Sequence, residues 1–167
     1  MVSRVEKKEQ GQPVPQFFYI WRDEPTNWES KFGGSAWKYD EITGQYYLHL
    51  FDTTQADLNW ENEELRKEVY KMMAFWAEKK GVTGFRLDVI NLISKEQSFP
   101  NDTAEGAMND GRKYYTDGPR VHEFLQEMHE EVFAGTDIIT VGEMSSTTID
   151  NCIKYSNPDR KRAKYDV

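Results

Sequence analysis

Three charged residues sit where charge is costly. The segment GFRLDV, residues 84–89, is apolar except for Arg86 and Asp88. Residues two apart on a strand share a face, so Arg86 and Asp88 point one way and Phe85, Leu87 and Val89 the other. A charge pair inside an apolar strand is unfavourable unless it is paired or used. A guanidinium beside Asp88 favours its ionised form. A second apolar run, ending in TVGEM, carries Glu143 at its tip behind Gly142, where a missing side chain leaves room for a ligand. The C-terminal ends of parallel strands are where α/β proteins place their chemistry. Neighbouring strands lie about 5 Å apart. Retaining glycosidases hold two carboxyl groups roughly 5–5.5 Å apart, and inverting ones need a wider gap. Asp88 and Glu143 are thus candidates for a retaining pair. The same residues also fit a structural ion pair beside a solvated strand-end acid, and spacing alone does not separate the two.

The elements that must position this pair follow from periodicity. Residues 61–80 place Leu65, Val69, Met72, Met73 and Trp76 at helical spacing. Acids open the segment and Lys79 and Lys80 close it, as the helix dipole favours. Gly81 is a fitting stop. The run 81–93, rich in Val, Ile and Leu, predicts a buried parallel strand. Residues 94–118 read as a long polar loop, of a length that is usually functional or disordered. A second helix opens at Pro119 with Val121, Leu125, Met128 and Val132 as its apolar stripe, and Gly135 ends it. Residues 137–142 predict a second buried strand. Helix, strand, helix, strand is the alternation of a parallel sheet covered by helices, an α/β fold.

Upstream the texture differs. Residues 1–15 carry charges, Gly and two Pro without an apolar period and read as a disordered lead-in. QFFYIW (16–21) and GQYYLHLF (44–51) read as strands, broken by Pro25 and Gly33-Gly34, in a small antiparallel β subdomain. Its tryptophans and tyrosines fit core packing better than sugar stacking, and His49 fits a packed strand position. Met72, Met73 and Met128 are expected in the core, Cys152 buried on a helix, and His122 and His129 solvated.

Composition narrows the function classes. The 167 residues hold 21 Lys plus Arg against 29 Asp plus Glu, a net charge of −8. An acidic chain without a long basic run is a poor ligand for nucleic acid or anionic membrane. No apolar stretch approaches the roughly 18 residues of a membrane span, and Met1–Gln12 lacks an apolar signal core. A single cysteine, Cys152, allows no internal disulfide, and with three His it makes a structural zinc site a poor fit. A cytoplasmic protein without metal or cofactor is expected.

GFRLDVIN and TVGEM resemble the segments that end the fourth and fifth strands of the (β/α)₈ TIM barrel in the α-amylase family of glycoside hydrolases. QADLNW (55–60) resembles a further segment before the third barrel helix in the oligo-1,6-glucosidase branch and its relatives. The resemblance implies a retaining α-glucosidase, with Asp88 as nucleophile, Glu143 as general acid/base and Arg86 beside the nucleophile. Residues 16–58 would be part of domain B, which protrudes from the barrel, residues 59–160 a partial barrel, and 161–167 a polar tail. TNWESKFGGSAW (26–37), GQYYLHLF, DGRKYYTDGPRVHEFLQEM (110–128) and VGEMSST (141–147) are most similar to the branch that cleaves a phosphorylated disaccharide. A phosphate needs cationic partners. Arg112 and Lys113 are the candidates, with ordinary solvated loop charge as the alternative. The family's earlier Asp and Asn-His segment and its later Asn-His-Asp segment are both absent, and with them a third catalytic Asp. The chain therefore reads as an internal piece of a larger enzyme, inactive by itself.

Overall fold

The structure is a computed structural model that describes residues 15–103 and 108–156. The expected lead-in up to residue 14 and the polar tail lie outside the described residues. The chain divides into two units. The first takes residues 15–62 together with 98–103 and 108–112, and the second takes 63–97 and 113–156. The sequence suggests one continuous stretch from 59 onward; instead, Ser98–Arg112 returns to the first unit.

In the first unit, β1 (Trp21–Arg22), β2 (Trp37–Asp40) and β3 (Gln45–Leu48) form an antiparallel sheet in the order β1-β3-β2. The register pairs Trp21 with Tyr47 and Trp37 with Leu48. The expected strand at 16–21 is instead a 3-10 turn over Gln16–Phe18, a single bridge from Tyr19 to Leu58, and only then β1. Trp28 is fully buried among Trp37 and Phe99, with ring centroids 6.3 and 5.4 Å away. Its Nε1 donates to the Pro100 carbonyl at 2.8 Å. Asn27 exchanges two hydrogen bonds with the Asp102 backbone, at 2.8 and 2.7 Å. These bonds account for the return of Ser98–Arg112: a buried indole and a buried backbone both need partners, and the returning segment supplies them. The tryptophans Trp28 and Trp37 are core residues, as is His49, which contacts the Phe51 carbonyl through Nδ1 at 3.1 Å.

In the second unit, α1 (Glu63–Lys80) leads into β4 (Gly84–Leu87), and a helical turn α2 (Arg112–Tyr115) begins at the unit boundary. Then follow α3 (Val121–Met128), a π-helical turn His129–Phe133, β5 (Ile139–Gly142) and α4 (Ile149–Ser156). β4 and β5 pair in parallel, Gly84 opposite Ile139 and Leu87 opposite Gly142. Leu65, Tyr70 and Met73 of α1 and Phe124, Leu125 and Met128 of α3 are buried, and the Tyr70 hydroxyl donates to the Phe124 carbonyl at 3.3 Å. Arg66 lies over the Phe124 ring and bonds Glu127 at 2.6 Å, so its charge is compensated where it is buried. Burial raises the pKa of the neighbouring Tyr70 hydroxyl, and Glu127 adds to the effect.

Four further expectations change. The strand read as 81–93 ends at Leu87, because Val89 takes a left-handed conformation (φ 42°) and Ile90–Leu92 forms a 3-10 turn. The apolar run continues past the strand because Ile90 and Leu92 are buried on that turn. Met72 is half exposed on α1, while Met73 is core. Cys152 is exposed on α4. His122 is half-buried against the Tyr155 ring, 4.6 Å between centroids.

Candidate active site

Parallel pairing sets the site. Leu87 and Gly142 are register partners and end their strands, so Asp88 and Glu143 are the next residues past two adjacent strands. Asp88 therefore stands in the turn just past β4, a correction to its expected place within the strand. The ladder carries on through that step: Glu143 N–H donates to the Leu87 carbonyl at 2.9 Å, and Ile90 N–H donates to the Glu143 carbonyl at 3.1 Å. The Glu143 backbone is thus held by hydrogen bonds at its N–H and its carbonyl, to the residues Leu87 and Ile90 that flank the turn carrying Asp88.

Their side chains meet one cation. The Arg86 guanidinium donates from Nη2 to Glu143 Oε2 at 2.8 Å and from Nη1 to Asp88 Oδ1. Arg86 is opposite Val141 on β5, on the same face as both acids. The three side chains are 62%, 67% and 46% exposed for Arg86, Asp88 and Glu143, so packing does not hold them and the shared guanidinium does. Two carboxylates past neighbouring strands, both bonded to one guanidinium, have the groups that acid/base-assisted displacement requires.

The two other predicted cations do different things. In the first unit, Arg112 bonds Asp110, Nε to Oδ2 at 2.7 Å. Burial pushes the Asp110 carboxyl up, and the bonds from Arg112 outweigh it, so it lies below the usual carboxylate range. In the second unit, Lys113 Nζ lies 4.8 Å from the Tyr114 ring centroid.

A polar cluster behind the site escapes the sequence reading. Asn91 is fully buried. Its Nδ2 donates to the Ser145 carbonyl at 2.9 Å, and its Oδ1 accepts from Ser145 N–H at 3.0 Å. Asp117, left-handed at φ 51°, accepts side-chain hydrogen bonds from Asn91, Thr147, Asn151 and Tyr155. Burial raises its pKa, and those four bonds overcome the rise, so Asp117 lies below the usual range. The partners are 26–38 residues away in sequence, so no local pattern announces them. The only available signal is the pairing of an acid with glycine and proline in TDGP. Among the described residues no group of three or more His, Cys, Asp or Glu is arranged to hold a metal, and no helix is long and apolar enough to cross a membrane.

Comparison with known proteins places this geometry in context. The family model for the alpha amylase catalytic domain matches residues 3–166. The chain is 70% identical over 150 residues to trehalose-6-phosphate hydrolase of Bacillus subtilis, covering 86% of this chain and 26% of that protein. It is 54% identical over 151 residues to oligo-1,6-glucosidase of Parageobacillus thermoglucosidasius, covering 86% and 27%. The crystal structure of trehalose-6-phosphate hydrolase from Bacillus licheniformis superposes with a TM-score of 0.82 at 60% identity, covering 96% of this chain and 28% of the other. The chain spans about a quarter of the length of the curated relatives it matches.

Proposed function

The chain belongs to the alpha-amylase catalytic-domain family, and from that premise we propose that it carries the nucleophile and the acid/base of a retaining α-glucosidase built on a full (β/α)₈ barrel. Asp88 attacks the anomeric carbon while protonated Glu143 gives its proton to the departing oxygen. Water then attacks the glycosyl-enzyme, with Glu143 as base, and the configuration is retained. Arg86 bonds the Asp88 carboxylate and orients it for the first step. The observation that carries this reading is one guanidinium bonded to two carboxylates, each one residue past the end of paired parallel strands. The chemistry uses carboxylates and water and calls for no cofactor.

The substrate proposed is trehalose 6-phosphate, cleaved to glucose and glucose 6-phosphate. The similarity to two trehalose-6-phosphate hydrolases supports it. Arg112 and Lys113 are the proposed phosphate partners. A phosphorylated sugar does not cross a bilayer unaided, so the proposed location is the cytoplasm. The likeness to an oligo-1,6-glucosidase favours a second reading, an exo-acting enzyme on isomaltose-type bonds. Turnover of trehalose 6-phosphate against isomaltose by the whole barrel enzyme that contains these residues decides between them. A preference for isomaltose moves the assignment to the second. Asp88→Asn and Glu143→Gln should each lower turnover by roughly 10²- to 10⁴-fold. Unchanged turnover in Asp88→Asn refutes the glucosidase reading itself.

A further inference from the structure

Something must hold the backbone of Glu143 opposite Asp88, because both side chains are largely exposed and packing cannot do it. The two ladder bonds at Leu87 and Ile90 end there, and three residues later the chain turns left-handed at Ser146, φ 57°. The next tie is Asn91, whose amide grips the Ser145 backbone by its N–H and its carbonyl together. That grip works in only one orientation of the amide. Turned over, Oδ1 would face the Ser145 carbonyl and Nδ2 the Ser145 N–H, and both bonds would become repulsions.

Asp117 chooses the orientation. An ionised carboxylate only accepts hydrogen bonds, and its Oδ1 lies 3.2 Å from Asn91 Nδ2. A turned-over amide would present oxygen to oxygen. Asp117 N–H also donates to the Asn91 carbonyl at 2.9 Å, so residue 91 is held at backbone and side chain by one partner. The other carboxylate contacts reach the chain beyond Glu143. Thr147 Oγ1 donates at 2.5 Å, Asn151 Nδ2 at 2.9 Å and Tyr155 Oη at 2.7 Å. All four side-chain donors are neutral, so the charge is not there to balance a cation. The backbone of Asp117 sits in a region that L residues seldom occupy, and such strain persists where surrounding structure enforces it.

We propose that Asp117 is a positioning residue for the carboxylate pair: through Asn91 it ties the segment after β4 to the segment after β5 and so holds Glu143 opposite Asp88. It touches neither substrate nor reacting atoms. The proposal rests on the glucosidase reading for its kinetic consequence, and on the hydrogen bonds alone for its structural one.

The test uses Asp117→Asn and Asp117→Ala in the whole barrel enzyme, with two readouts. Amide hydrogen exchange reads the tie directly. Exchange at Ser145 should quicken in both variants, and more in Asp117→Ala, because asparagine keeps one acceptor and no longer dictates the Asn91 orientation. Kinetics reads its consequence. Misplacement by about 1 Å costs up to about 10²-fold, so kcat on trehalose 6-phosphate should fall about 10- to 100-fold, with KM within about threefold. An aryl α-glucoside with a good leaving group needs less help from Glu143 and should lose less. A role in stability alone would lower both substrates alike. Unchanged exchange at Ser145 overturns the proposal, as does equal loss on the two substrates or an unchanged kcat. If Asp88→Asn retains full turnover, the glucosidase reading fails instead, and the exchange result still decides whether Asp117 makes the tie. Should Asp117→Ala not fold, Asp117→Asn carries both readouts.

Discussion

Replacing Gly118 with alanine tests whether the loop behind the site is as tightly built as its contacts imply. A Cβ at Gly118 would stand 2.2 Å from the Ser94 carbonyl oxygen, 2.5 Å from the carbonyl carbon and 2.9 Å from Lys95 N. Non-bonded carbon is comfortable at about 3.5 Å, so the Ser94 backbone would have to withdraw by about 1 Å. It has little freedom to do so. Ser94 is fully buried, and its Oγ accepts from Arg120 N–H at 3.0 Å, just ahead of α3. Alanine meets no dihedral penalty here, since the positive-φ glycines do not include residue 118. The cost is therefore steric, about 1–3 kcal/mol, and it falls one residue from Asp117. Gly135→Ala is the matched control: φ is 75° and nothing lies within 4 Å of the added carbon, so it carries only backbone strain, about 1–2 kcal/mol. Urea unfolding of the whole enzyme reads both. Because m exceeds the roughly 1–3 kcal/mol/M of small proteins in a chain of that size, Gly118→Ala should move the midpoint down by less than about 1 M. It should also lower kcat, whereas Gly135→Ala should leave kcat alone. If Gly118→Ala unfolds like wild type and turns over like wild type, the close approach of Gly118 to Ser94 is not a constraint, and the reasoning fails.

Two more outcomes follow from geometry already given. Trp28→Ala should destabilise the first unit by about 3–5 kcal/mol, while Trp28→Phe, which orphans the Pro100 carbonyl, should cost about 1–3 kcal/mol; a Trp28→Phe variant as stable as wild type in urea titrations would show that the indole N–H bond is idle. Asp117 has its pKa depressed in the folded state, so its contribution is present above the unfolded value of about 3.9 and is lost as pH falls through the folded one. Unfolding titrations between about pH 5 and pH 2 should therefore show a shallower acid decline in Asp117→Asn than in wild type, and parallel curves would refute the assignment.

The placing of the two candidate carboxylates was legible because it depends on local rules. GFRLDV and TVGEM announce apolar strands with acids at their ends, and parallel pairing does the rest. Helix α1 was legible for the same reason, since its stripe, acidic start and Lys79-Lys80 end are neighbours in sequence. The end of β4 was not, because Ile90 and Leu92 are as apolar as strand residues and bury themselves on a 3-10 turn instead. Met72 and Trp76 fit a helical period and are half exposed all the same, since period does not say how far around the helix cover extends. The Asp117 cluster depends on four donors scattered from Asn91 to Tyr155, and only three-dimensional structure brings them to one carboxylate.

The return of Ser98–Arg112 to the first unit has a consequence for how the chain is made. The Asn27 amide and the Trp28 indole bond Asp102 and Pro100, 75 and 72 residues later. At about 5–20 residues per second, a growing chain waits roughly 4–15 s between emerging at the tryptophan and emerging at its acceptor. During that interval all of α1 and β4 leave the ribosome, while the indole has no Pro100 to bind. Ribosome-borne chains halted before residue 100 should therefore leave Trp28 open to quenchers, and those halted well beyond Arg112 should shield it.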